Sequence, residues 1–248
     1  MHKQVRRPVQ QADLRFGLAQ GVDYVALSFV RHASDIDAVR AEMRGAGRPA
    51  PIIAKIERVE AVANLEEIVA AADGVMVARG DLGVETSSAE VPALQKRILS
   101  VAGRAAKPDI TATQMLESMI ANPRPTRAEA SDVANAVFDG TDALMLSAET
   151  AVGKYPAEAV RTMARIAETA EGHLAEYGRR HPDRPPAPGS VDEATAGAAC
   201  LAAREIGARG IAVFTRSGRT ALLVSARRPE RPIVAFTPHA ETYRRLAL

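Results

Sequence analysis

The sequence predicts an α/β protein: a section of a parallel (β/α) barrel followed by a second, smaller α/β unit. Three observations predict it. Short apolar runs alternate with stretches of helical length and period. Those runs lack polar alternation, as strands do when both faces are buried. Polar residues recur at the carboxyl end of nearly every run, where a barrel assembles its site. An open doubly wound sheet fits the first two observations as well. However, the Gly-x-Gly-x-x-Gly turn and the P-loop signature are both missing.

In chain order, Ala12 to Gln20 reads as the end of a helix closed by Gly21. Tyr24 to Val30 is a strand and Ser34 to Met43 a helix. Pro51 to Ile56 is the next strand, Val59 to Ala70 the next helix, and Val75 to Ala78 a third strand. Val91 to Gly103 is helical, and Ile110 to Thr113 is a short strand. Ala128 to Phe138 is a helix with Glu129 in its first turn, where the helix dipole favours an acid. Ala143 to Leu146 is the fifth strand. Pro156 to Tyr177 is a long helix, its proline well placed at the start.

Residues 1–177 therefore form the barrel part. Gly178 to Ser190, GRRHPDRPPAPGS, reads as a linker rich in proline and charge. Residues 191–248 begin the second unit: a helix over Ala194 to Ile206, a strand over Ile211 to Phe214 and a helix over Thr220 to Arg227. A strand over Ile233 to Phe236 and a helix from Ala240 follow. Two strands make little core, and five barrel strands leave two unpaired edges. Both units are therefore expected to be cut from larger ones.

Composition narrows the function classes. The net charge is +2, from 32 Lys and Arg against 30 Asp and Glu, and Arg6-Arg7 and Arg179-Arg180 are short patches; no nucleic-acid partner is expected. Aromatics are 4% with no tryptophan, which argues against base stacking. No apolar run reaches 18 residues, so no membrane span is expected. The single cysteine, Cys200, excludes a disulfide framework and fits a reducing, cytoplasmic setting. His2, His32, His173, His181 and His239 have no zinc spacing.

The chemistry concentrates at the strand ends. Lys55 and Glu57 are two apart and share a face. Burial there is costly unless an anion meets the lysine and a cation the acid; a plain ion pair is the alternative. Asp81, in Arg79-Gly80-Asp81-Leu82-Gly83, follows a strand directly and offers a second hard oxygen. Two carboxylates with substrate oxygens and water suit Mg²⁺, or equally Mn²⁺; a bland turn is the alternative. Thr111, Thr113 and Gln114 lie at the next tip, as carboxylate or water ligands or as backbone caps. Ser147 and Glu149 follow the last strand, at the rim or in a structural role. Thr215, Ser217, Gly218, Arg219 and Thr220 lie in TRSGRT, a phosphate cradle or simply a capped helix start.

Longer motifs carry a family resemblance. LSFVR at 27–31, IIAKIE at 52–57, GVMVARGDLGVE at 74–85, TATQMLESM at 111–119 and NPRPTRAEASDVANAVFDGTDALMLSAETAVGKYP at 122–156 resemble pyruvate kinase, as does FTRSGRTA at 214–221. The resemblance runs through almost all 248 residues. It implies the last five strands of a TIM (β/α)8 barrel and the start of a three-layer regulatory α/β domain. It implies phosphoryl transfer from phosphoenolpyruvate to ADP, giving pyruvate and ATP in glycolysis.

The resemblance also implies roles. Glu57 and Asp81 hold Mg²⁺ or Mn²⁺, and Lys55 stabilises charge on the phosphoryl group and the enolate oxygen. Gly80, Asp81 and Thr113 hold the substrate carboxylate, and Thr113 helps place the proton. Arg79 and Ser28 support the site, Ser147 is counted with the substrate-binding residues, and TRSGRT belongs to the effector region. Many members use K⁺, whose ligands lie on earlier strands not matched here. Members are homo-oligomers, usually tetramers, so self-association or complementation by a missing N-terminal half is expected, with weak or absent activity for the chain alone. Two departures stand out: Asp109 replaces an apolar residue at the start of a buried strand, and Gln10 replaces an acid. A Mg²⁺-dependent aldolase or lyase acting on pyruvate-like acids, or a non-catalytic binding subunit, remains as an alternative.

Overall fold

The computed structural model describes residues 8–177 and 189–248. Most of the expected linker, Arg6-Arg7, Arg179-Arg180, His2 and His181 lie outside them. The chain runs through α1 (Pro8–Gln20), β1 (Val25–Leu27), α2 (Ala33–Gly45), β2 (Ile52–Ile56), α3 (Val59–Ala63), α4 (Leu65–Ala71), β3 (Gly74–Ala78), α5 (Arg79–Glu85) and α6 (Val91–Arg104). It continues through β4 (Asp109–Ala112), a 3₁₀ turn (Glu117–Ile120), α7 (Arg127–Phe138), β5 (Ala143–Met145), α8 (Ala148–Ala151), α9 (Pro156–Gly172) and α10 (Leu174–Tyr177). The second unit holds α11 (Val191–Glu205), β6 (Ile211–Phe214), α12 (Arg219–Ser225), β7 (Ile233–Phe236) and α13 (Ala240–Arg245).

The sheet order decides between the two architectures that the sequence left open. Strands β1 to β5 pair in sequence order, and every pair is parallel. A doubly wound sheet reverses its order at a switch point; consecutive order without reversal is barrel order. The outward face packs under the helices: Ile52, Ala54, Ile56, Val75 and Val77 join Ile36, Val39, Ile68, Ile98 and Leu99 in one core. Each Ile, Val or Leu among them contributes about 2 kcal/mol by leaving water. The other face carries a smaller cluster of Ile53, Met76 and Ala112, against which Tyr24, Ile110, Met145 and Leu248 pack. Strand alternation puts Lys55 on the Ile53 face, and Ser28, just past the end of β1, lies beside it.

Strands β6 and β7 form a separate parallel pair. Ile211 and Val213 face α11 and α12, while Phe214 and Phe236 stack on the opposite, exposed face at 5.2 Å. The second unit grips the barrel section near the starts of its strands. Arg244 pairs with Asp23 at 2.9 Å, Tyr24 Oη donates to the Arg245 carbonyl at 2.8 Å, and Arg228 pairs with Asp142 at 2.8 Å.

Several elements differ from the sequence expectation. The helix expected over 59–70 is broken at Asn64, whose side chain donates to the Arg31 carbonyl and contacts His32 Nδ1. The strand expected over 24–30 stops at Leu27, because Phe29 adopts a left-handed backbone, φ 57°. The Arg-Gly-Asp turn is the first turn of α5, held by the fully buried Leu82.

Candidate active site at the strand tips

Lys55 is the second-last residue of β2, and Glu57 lies just past its end. Its ammonium donates to Ser28 Oγ at 3.0 Å and lies 2.5 Å from Glu57 Oε1. Glu57 is wholly buried. Its Oε2 accepts the Phe29 amide at 2.7 Å, which accounts for the left-handed turn there. Oε1 receives no aligned hydrogen bond from any donor. Lys55 therefore balances its charge without satisfying its lone pairs, and that oxygen keeps capacity for a cation. The Arg58 guanidinium covers the Phe29 ring at 5.1 Å and pairs with Glu85.

One strand further on, Gly80 meets Thr113. A Cβ on Gly80 would sit 2.7 Å from Thr113 Cγ2, so only glycine permits this approach. Thr113 and Gln114 both hold left-handed backbones, φ 76° and 55°, which is uncommon for non-glycine residues and strained for a β-branched one. Asp81 follows Gly80 and is exposed in the first turn of α5.

Other sequence candidates have different places. The Arg79 side chain turns inward, to the Thr113 carbonyl at 2.7 Å and to Asp132 at 2.7 and 2.8 Å. Thr111 is fully buried inside β4, its hydroxyl 3.0 Å from that of Thr141, and so does not line the tip. Glu149 is buried and accepts the Leu116 and Ser147 amides, a structural brace. Ser147 is exposed at the rim. Thr215 Oγ1 is occupied in accepting the Gly218 amide at 3.0 Å. Gly218 has φ 90°, while Ser217, Arg219 and Thr220 are exposed.

The donor set suits a divalent cation in kind: two hard carboxylates on neighbouring strand ends, one with an oxygen met only by the Lys55 ammonium. Among the described residues no group of three or more His, Cys, Asp or Glu could hold a metal ion. An ion here would complete its shell with ligand oxygens and water, as Mg²⁺ commonly does.

Comparison with known proteins identifies the family. The family model described as pyruvate kinase, barrel domain, matches residues 8–160, and the model of the pyruvate kinase alpha/beta domain matches residues 193–248. The chain belongs to the pyruvate kinase family. It is 50% identical over 236 residues to pyruvate kinase 2 of Synechocystis, covering 95% of this chain and 39% of that protein. It is 51% identical over 236 residues to pyruvate kinase of Corynebacterium glutamicum, covering 95% and 49%. Pyruvate kinase of Mycobacterium tuberculosis is 51% identical over 241 residues, again 95% and 49%. The chain thus spans between 39% and 49% of the length of these relatives.

Reading the sequence missed Asp132 and Gln95, which brace Arg79 from α7 and α6. Asp132 stands inside the long family motif. Its signal is an acid directly before Val133, which with Ala136 turns the helix to the core.

Proposed function

We propose that this chain takes part in phosphoryl transfer between phosphoenolpyruvate and ADP. The observation that carries the reading is Lys55, held between Ser28 and Glu57 at the carboxyl end of a buried parallel strand. In the transfer, the bond between phosphorus and the enol oxygen breaks as a bond to a terminal ADP oxygen forms. The enolate left behind takes a proton on carbon and becomes pyruvate. An ammonium fixed in advance beside the developing negative charge lowers the barrier without reorganising at the moment of reaction. Lys55 fills that role. Thr113, pressed against Gly80, is the hydroxyl assigned in this reading to the substrate carboxylate and to the placing of the proton. Glu57 and Asp81 are the residues that would hold Mg²⁺, which would supply positive charge to a phosphoryl substrate. The same reading makes 1–177 and 191–248 two domains and places a homo-oligomer in the cytoplasm. Among the described residues no helix is long and apolar enough to cross a membrane.

The test is ATP formation from phosphoenolpyruvate and ADP by the purified chain, with Mg²⁺ and K⁺ present. Turnover abolished in Lys55→Ala supports the reading. Turnover indifferent to that change rejects the reading, and none from the unaltered chain rejects it for the chain acting alone.

A further inference from the structure

We infer that Asp132 is a positioning residue: acting through Arg79, it holds the strained Thr113–Gln114 turn in the shape that presents Thr113 to a ligand. The inference rests on the phosphotransferase reading for the ligand's identity but not for the clamp itself. Two consecutive left-handed residues cost about 1–3 kcal/mol each and persist only where their surroundings determine them. Here the turn's carbonyls meet one guanidinium. Arg79 Nε donates to the Ala112 and Thr113 carbonyls, both at 3.2 Å, and Nη2 donates again to Thr113 at 2.7 Å. The turn's carbonyls are thereby drawn to Arg79, while the Thr113 side chain lies against Gly80.

Arg79 cannot do this unaided, because its side chain is only 10% exposed and its charge needs a partner. Asp132 meets it with both oxygens, at 2.8 and 2.7 Å, the planar geometry that fixes a guanidinium in orientation as well as place. Gln95 Oε1 adds a weaker contact at 3.4 Å. The helix behind Asp132 is itself pinned. Thr126 and Glu129 close a capping box at the start of α7, and Glu129 also accepts the Ser118 amide and hydroxyl in the segment after the turn.

The test compares the unaltered chain with Asp132→Ala and Asp132→Asn. Backbone ¹³C shifts at Thr113 and Gln114 report the left-handed turn. Calorimetric titration with oxalate in Mg²⁺ reports binding of a planar dioxo anion shaped like the enolate. Asp132→Ala is expected to abolish the left-handed shifts and to weaken oxalate about tenfold, one hydrogen bond's worth of free energy. Asp132→Asn keeps one acceptor and falls between. Should the alanine variant fail to fold, the asparagine variant decides on the same shifts. Unchanged shifts, or changed shifts with unaltered oxalate affinity, overturn the inference. Changed shifts in a protein whose unaltered form binds no oxalate leave the clamp standing and remove the phosphotransferase reading.

Discussion

Two buried carboxylates in the same sheet meet opposite surroundings. Glu57, just past the end of β2, faces the Lys55 ammonium and the Phe29 amide. Asp109, the first residue of β4, faces a second acid. Its Oδ1 accepts from Thr141 Oγ1 at 2.9 Å and from the Asp142 amide at 3.0 Å, while its own amide donates to Asp142 Oδ2. Burial above all, and then the Asp142 charge, raise its pKa to about 7. Taking a charge out of water has the same cost at both ends of the sheet. At the tip an opposite charge offsets that cost. At the base no cation faces Asp109 directly, so it tends to keep its proton. A carboxylate facing an ammonium suits a site for charged ligands; one facing another acid suits a structural joint.

Removing the tip's cation should have the largest effect. Lys55→Ala leaves the buried Glu57 carboxyl with one amide as its partner. Breaking a buried pair from one side costs about 3 kcal/mol, toward the lower end because Lys55 is 24% exposed. Glu57→Gln added to Lys55→Ala should recover part of that loss, since no stranded charge remains. Urea unfolding of the two single variants and the double variant measures the coupling. Strict additivity would mean that the pair does not compensate Glu57 as argued.

The base should respond to pH instead. A carboxyl that holds its proton more tightly folded than unfolded gives stability that is complete below its unfolded value. That stability falls as pH rises, and it is gone above the folded value near 7. Stability between pH 5 and 8 should therefore drop by about 2 kcal/mol on account of Asp109. Asp109→Asn keeps an oxygen for Thr141 and the Asp142 amide and has no proton to lose, so its profile should be flatter and higher at pH 8. Denaturation midpoints across that range decide it. Parallel profiles for the two proteins would mean that Asp109 is already ionised at pH 5.

What was legible in the sequence follows the same division. Periodicity and the i, i+2 spacing suffice to put Lys55 beside Glu57, because strand alternation is a local rule. The alternation of strands and helices suggested a barrel, and consecutive parallel pairing is the observation that settled it. The cost of Asp109 in a buried strand was legible too. Its partners were not, since Thr141 and Asp142 lie one strand away. Thr111 was misplaced at the tip because Thr113, not Thr111, follows the strand's last residue, Ala112. Helix α5 was invisible because two glycines lower its propensity, and the buried Leu82 outweighs them. Asp132 and Gln95 act on Arg79 from other helices, and no spacing rule links positions 16 and 53 residues apart.

Arg228 offers the smallest effect and the finest test of the base. It belongs to the second unit, 39% exposed, pairs with Asp142 at 2.8 Å and donates to the Gly140 carbonyl. A pair this exposed contributes about 0.5 kcal/mol. Its charge also draws the Asp109 pKa down, against burial and Asp142. Arg228→Ala should therefore lower stability slightly and move the upper end of the pH-dependent fall upward. The backbone complicates the comparison, since Arg228 is left-handed, φ 49°, and alanine keeps that strain. Arg228→Gly removes the charge and the strain together. Both variants should show the same displaced pH profile, with the glycine protein the more stable of the two. A profile displaced in neither would mean that the second unit touches the barrel at Asp142 without influencing the charge of Asp109.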